Sequence, residues 1–170
     1  MSFIEENVRE FVVMVQGNST GTGAETATAG SADIAVLGLG VMGRNLAANL
    51  ADHGAVVAGY DLDEGRRAAF AAQVGNAVPC ASVEDLLGAL KAPRVILMMV
   101  PAGAPVDELT AALLPRLSPG DVLIDGGNSH FRDTNRRAAL AAAAGVRFGG
   151  LGGAGGGGGG GRGPAPRAGG

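Results

Sequence analysis

Three stretches of the sequence carry residue types and spacings suited to chemistry. In the first, Gly38-Leu39-Gly40-Val41-Met42-Gly43, glycines recur in a G-x-G-x-x-G spacing. Gly38 can turn sharply, Gly40 puts no side chain in the way of a pyrophosphate, and Gly43 lets a helix lie close to a strand. A helix opening here aims backbone N–H groups and a positive dipole end at phosphate oxygens. Asp61 ends a later apolar run, Val56–Tyr60, at the point where a carboxylate accepts hydrogen bonds from an adenosine ribose. The second stretch is Val100-Pro101-Ala102-Gly103 and the third is Gly126-Gly127-Asn128-Ser129. Asn128 stands out in the third because its amide both donates to and accepts from hydroxyls. In a chain with 31 glycines the first spacing alone is weak evidence, so its flanks decide its meaning.

Those flanks alternate between strand and helix. Ile34–Leu37 is an apolar run that predicts a buried strand, residues 42–52 carry a helical pattern, and 55–61 form a second strand. Asp63 and Glu64 open a second helix ending near Gly75, and a short strand or turn follows from Val78 to Ala81. Ser82 has the type and position of an N-cap, with Asp85 three residues on. Pro93 ends that excursion, and Arg94–Val100, apolar after its arginine, reads as a strand buried on both faces. Pro105 suits the first turn of a helix running to about Leu114. A strand at Val122–Asp125, a helix from about Arg132 to Ala144 closed by Gly145, and a strand at Val146–Phe148 complete the pattern. The alternation predicts a Rossmann-type α/β fold: a doubly wound, mostly parallel sheet with helices on both faces. Ligands in such sheets bind beyond the carboxyl ends of the strands, and all three stretches belong to that edge.

Composition narrows the classes. At 170 residues, 46% hydrophobic and 17% charged, the chain suits one full globular domain. A net charge of −3 with no basic run points away from nucleic acid. No apolar segment approaches the length of a membrane span. The single Cys80 allows no internal disulfide, no Cys/His cluster has metal-ligand spacing, and a reducing, cytoplasmic setting is expected. The flanks differ from the middle. Residues 1–16 have the spacing of a short amphipathic helix, and residues 17–32 the Gly/Ser/Thr/Ala composition of a linker. Residues 1–32 are thus expected to be a non-catalytic extension to a nucleotide-binding domain over 33–153. Fourteen of the last 22 residues are Gly, so 154–170 is expected to be a flexible tail.

Three segments together resemble the N-terminal part of 6-phosphogluconate dehydrogenase: Ile34–Ala47 with its glycine turn, Val100–Asp107, and Asp125-Gly126-Gly127-Asn128-Ser129-His130-Phe131-Arg132-Asp133-Thr134. The last is the most specific. The resemblance covers about residues 33–153 well and continues, degraded, to Gly170. It implies oxidation and decarboxylation of 6-phosphogluconate to ribulose 5-phosphate and CO2 with NADP or NAD. It further implies that Gly38, Leu39, Gly40, Val41, Met42 and Gly43 hold the pyrophosphate. Val100, Pro101 and Ala102 would line the nicotinamide side, and Asn128 would lie where cofactor and sugar meet.

The departures are informative. The NADP-using pattern has Asn-Arg after the second strand, where this chain has Asp61-Leu62. A carboxylate there suits the free hydroxyls of NAD and repels an added phosphate, so NAD is favoured unless Arg66 or Arg67 reaches over. The family's substrate loop carries a serine and two glutamates, replaced here by Ala154 and glycines, so only Gly155 and Gly156 carry over as substrate-binding positions. The family's catalytic lysine, its His-Asn partner and the helical domain that builds the homodimer lie beyond the matching region. Lys91 is the only lysine, and His53 and His130 read as structural or solvent-facing, so no general acid–base pair is expected in this chain. Two rivals remain: a β-hydroxyacid dehydrogenase like 3-hydroxyisobutyrate dehydrogenase, which Asp125–Thr134 argues against, and a non-catalytic nucleotide-binding fragment.

Overall fold

A computed structural model describes residues 30–151. The expected N-terminal helix, most of the linker, Gly155, Gly156 and the Gly-rich segment lie outside the described residues.

Among the described residues, six strands and five α-helices alternate. They are β1 (Ile34–Leu37), α1 (Val41–Asp52), β2 (Val57–Tyr60), α2 (Glu64–Gln73), β3 (Ala77–Pro79) and α3 (Val83–Ala89), then β4 (Val95–Met98), α4 (Ala104–Leu113), β5 (Val122–Asp125), α5 (Phe131–Ala143) and β6 (Arg147–Gly150). A 3₁₀ turn at Leu114–Arg116 extends α4. Every pairing is parallel and the strand order is β3-β2-β1-β4-β5-β6, the doubly wound arrangement that the alternation predicts. The order reverses between β1 and β4, and sheets of this kind bind ligands beyond the carboxyl ends of the strands at such a reversal.

The central strands β1 and β4 are buried on both faces because each supplies two cores. Ile34 and Val36 of β1, with Val95 and Leu97 of β4, pack with Leu50 of α1 and Phe70 of α2. The alternate residues Ala35, Leu37, Ile96 and Met98 pack with Leu86 of α3, Val106 of α4 and Ala141 of α5. Local chemistry sets the helix starts. Asp63 caps α2 by accepting the Arg66 N–H, and Ser82 caps α3 by accepting the Asp85 N–H. Gly145, at φ 73°, ends α5 as the sequence predicts. Ala32, in the segment that composition assigns to the linker, is fully buried and bridges to Leu90.

Two aspartates tie the amino-terminal ends of the strands. Asp33 accepts the Val56 N–H and the Lys91 ammonium, both at 2.8 Å. Asp121, 1% exposed, accepts the N–H of Arg94 at 2.7 Å and of Ser118 at 2.9 Å, and pairs with the Arg94 guanidinium. Replacing Asp121 by Ala strands two backbone donors and a cation, and is expected to cost about 3 kcal/mol in urea unfolding. A loss below about 0.5 kcal/mol, the range of ordinary surface changes, would contradict this role.

Candidate cofactor-binding edge

The glycine turn is built by close contact. Gly38, at φ 94°, leaves β1 so tightly against the next strand that a Cβ there would lie 2.5 Å from the Met99 carbonyl oxygen. A Cβ on Gly43 would fall 2.0 Å from the Gly38 carbonyl oxygen. Gly40 differs: a Cβ there would meet nothing within 4 Å. It is the N-cap of α1, no side chain caps that helix, and its first turn carries no acidic residue. The turn therefore leaves open ground in front of a helix N-terminus, which fits an anionic pyrophosphate. Val41 and Met42 stand exposed on the first turn. Leu39 does something else. Its side chain is in the core, its N–H goes to Asp61 and its carbonyl accepts from Arg44, so it shapes the turn from within.

Asp61 forms the second wall. Its Oδ2 accepts the Leu39 N–H at 2.8 Å, and its Oδ1 accepts the Asp63 N–H at 2.9 Å. Arg66 lies 3.5 Å from Oδ2, whereas Arg67 turns back to donate to the Asp61 and Leu62 carbonyls. Burial pushes this carboxyl up, but the two backbone N–H groups and Arg66 outweigh that and hold it below its ordinary value. The Leu62 side chain, 89% exposed, brings no charge of its own to this corner.

The other two loops press together beyond β4 and β5. A Cβ on Gly126 would meet the Met99 sulfur at 2.2 Å, and one on Gly127 would lie 3.1 Å from the Val100 carbonyl oxygen. Val100 is half-buried, while Pro101, Ala102 and Asn128 are exposed on this edge. The carboxylate of Asp125, fully buried, accepts the Gly127 N–H at 2.9 Å and the Ser129 hydroxyl. The fold thus brings Gly38–Gly43, Asp61, Val100–Ala102 and Asn128 to one edge, on either side of the β1/β4 reversal.

The match to a family described as the NAD binding domain of 6-phosphogluconate dehydrogenase runs over residues 33–170. The chain belongs to that family. It is 44% identical over 141 residues to 6-phosphogluconate dehydrogenase, decarboxylating 2 of Saccharomyces cerevisiae, and 45% identical over the same length to the enzyme of Haemophilus influenzae. Each alignment takes in 81% of this chain but 29% of the relative, so the chain spans under a third of these relatives' length. Among solved structures, Plasmodium falciparum 6-phosphogluconate dehydrogenase, studied in its apo form, with NADP+ and with 6-phosphogluconate, matches at a TM-score of 0.64 and 30% identity. That match covers 68% of this chain and 26% of the other. Mycobacterium tuberculosis 3-hydroxyisobutyrate dehydrogenase matches at 0.59 and 29%, covering 68% and 38%.

Other titratable groups of this 6-phosphogluconate dehydrogenase-type domain sit away from the crevice or serve structure. Lys91 is held by Asp33 at the opposite edge. His53 ends α1 with Nδ1 2.7 Å from the Asn49 carbonyl, and His130 caps α5. Burial, with Asp85 nearby, pushes the Cys80 thiol up to about 11, so it stays protonated and inert. Among the described residues no cluster has the makings of a metal site, and no helix is long and apolar enough to cross a membrane.

The sequence names Asp107, Asp125 and Ser129 only as parts of matching segments and does not single out Arg137; the structure links the four as a polar group behind the two loops. Their signal was faint: Arg137 and Ala141, the buried residues of α5, are four apart on one helical face.

Because the Asp61 carboxyl is held below its ordinary 3.8, its stabilising contacts are complete above about pH 5 and are lost as the pH falls through the folded value. The thermal stability difference between the native chain and Asp61→Asn is accordingly expected to be constant near neutrality and to shrink below pH 3.8. A difference that grows on acidification would contradict the assignment.

Proposed function

We propose that this chain is the cofactor-holding part of a 6-phosphogluconate dehydrogenase, and that it holds NAD in preference to NADP. The open ground over Gly40, in front of the uncapped N-terminus of α1, carries the reading. There the first-turn N–H groups and the helix dipole receive the pyrophosphate, with Gly38 and Gly43 setting the turn and Leu39 bracing it. The Asp61 carboxylate keeps lone pairs beyond its two backbone bonds, enough to accept ribose hydroxyls. Val100, Pro101 and Ala102 flank the nicotinamide, and Asn128 offers its amide at the junction of cofactor and sugar. Gly155 and Gly156 are the remaining substrate-loop positions.

The proposed reaction of the whole enzyme is oxidative decarboxylation of 6-phosphogluconate to ribulose 5-phosphate and CO2. When bound, the nicotinamide supplies a two-electron hydride acceptor. This chain's residues hold it and exclude water from one side; none of them is assigned as catalytic acid or base. The cytoplasm is the proposed location, and homodimerisation belongs with the family's helical domain.

Titration with both cofactors tests the preference. NAD is expected to bind more tightly, because an added 2′-phosphate meets the Asp61 carboxylate and finds Leu62 where a cation is needed. Tighter binding of NADP, with Arg66 swung across, would overturn it. Asp61→Asn is expected to shift the ratio toward NADP by about tenfold, as one removed like-charge contact warrants. Incubating the purified chain with 6-phosphogluconate and either cofactor is expected to give no reduced nicotinamide above background, and turnover would refute the absence of an acid–base pair.

A further inference from the structure

A buried guanidinium lies directly behind the two loops of the nicotinamide side. Arg137 of α5 is 1% exposed. Its Nε donates to Asp107 Oδ1 at 2.8 Å and its Nη2 to the Gly103 carbonyl at 3.2 Å. Its Nη1 donates to Ser129 Oγ at 3.1 Å and to Asp125 Oδ2 at 3.4 Å. A buried charge is tolerated only when paired and saturated with hydrogen bonds, as this one is. The contacts fall into two sets. Gly103 and Asp107 continue the Val100–Ala102 loop into α4, while Asp125 and Ser129 bracket Gly126–Asn128. One rigid, planar fork therefore fixes the spacing between the loop beyond β4 and the loop beyond β5.

We infer that Arg137 is a positioning residue for the nicotinamide half of the site, acting on Val100–Ala102 and Asn128 through their loops. The inference rests on the cofactor reading above. It separates the two halves of the ligand, because none of the contacts of Arg137 reaches Gly38–Gly43 or Asp61, which hold the adenosine and pyrophosphate. A lysine cannot replace it. An ammonium is a point charge on a flexible stem and cannot span both loops in a fixed geometry.

The experiment is calorimetric titration of the purified chain with NAD and, separately, with ADP, which lacks the nicotinamide half. Arg137→Met and Arg137→Lys are both expected to weaken NAD binding by about tenfold or more while ADP binding stays within about twofold. Asp107→Asn, which takes the charge from the half-exposed arm that Arg137 shares with Arg136 while keeping an oxygen acceptor, is expected to give a smaller loss of the same selectivity, and it keeps the test open should an Arg137 variant fail to fold. Amide hydrogen exchange without ligand supplies a second measure: faster exchange at residues 100–103 and 126–129, with 38–43 unchanged, is expected in Asp107→Asn. Equal losses for NAD and ADP, unchanged NAD affinity, full rescue by lysine, or exchange raised uniformly would each overturn the inference while leaving the cofactor reading intact. A native chain that binds neither NAD nor ADP would remove that reading, and this inference with it.

Discussion

A parallel sheet leaves backbone groups unpaired where its strands end, and here aspartate carboxylates take up those groups. Asp33 joins the start of β1 to the start of β2, and Asp121 joins the start of β5 to the start of β4. At the other edge, Asp61 joins the end of β2 to the turn after β1, and Asp125 folds the loop after β5 back on itself. A carboxylate suits this work because it accepts several N–H donors at once and binds each more strongly than a neutral oxygen does. The hydrophobic cores hold the layers together. The carboxylates decide where the loops go, and the candidate site is made of loops.

At the carboxyl edge the outcome is close packing. Gly38 lies against the Met99 carbonyl at a distance that leaves no room for a Cβ, Gly126 lies against the Met99 side chain, and a Cβ on Gly127 would be tight against the Val100 carbonyl oxygen. The three loops are thus mutually supporting: the turn after β1 leans on the segment after β4, which in turn leans on the loop after β5. Within the turn after β1, Gly40 alone opens outward. A surface that is rigid behind and vacant in front is what a preformed ligand site requires.

Much of this was legible in the sequence, and the reasons are physical. Continuous apolar runs such as Ile34–Leu37 and Val95–Met98 announce strands buried on both faces, and Ser82, Pro105 and Gly145 mark helix ends through local chemistry alone. The glycine turn was legible because part of its spacing, the approach of Gly43 to Gly38, is enforced within a single βα unit. The polar group around Arg137 was not. Its members come from the end of β5, the loop after it, α4 and α5, and only the tertiary structure shows that an arginine in an alanine-rich helix faces inward. The part played by Leu39 was hidden for a similar reason: in sequence it is one residue of a fingerprint, but in space it is the donor that Asp61 holds.

That bond carries an evolutionary consequence. The carboxylate proposed to read the ribose is also the one that fastens the glycine turn to the neighbouring strand. On the proposed reading, cofactor choice and loop anchorage share one side chain. A lineage changing Asp61 to admit a phosphate has to keep an acceptor for the Leu39 N–H, as an asparagine oxygen can, or the turn loosens in the same step. The proposed preference for NAD is thus tied to the architecture that surrounds Asp61.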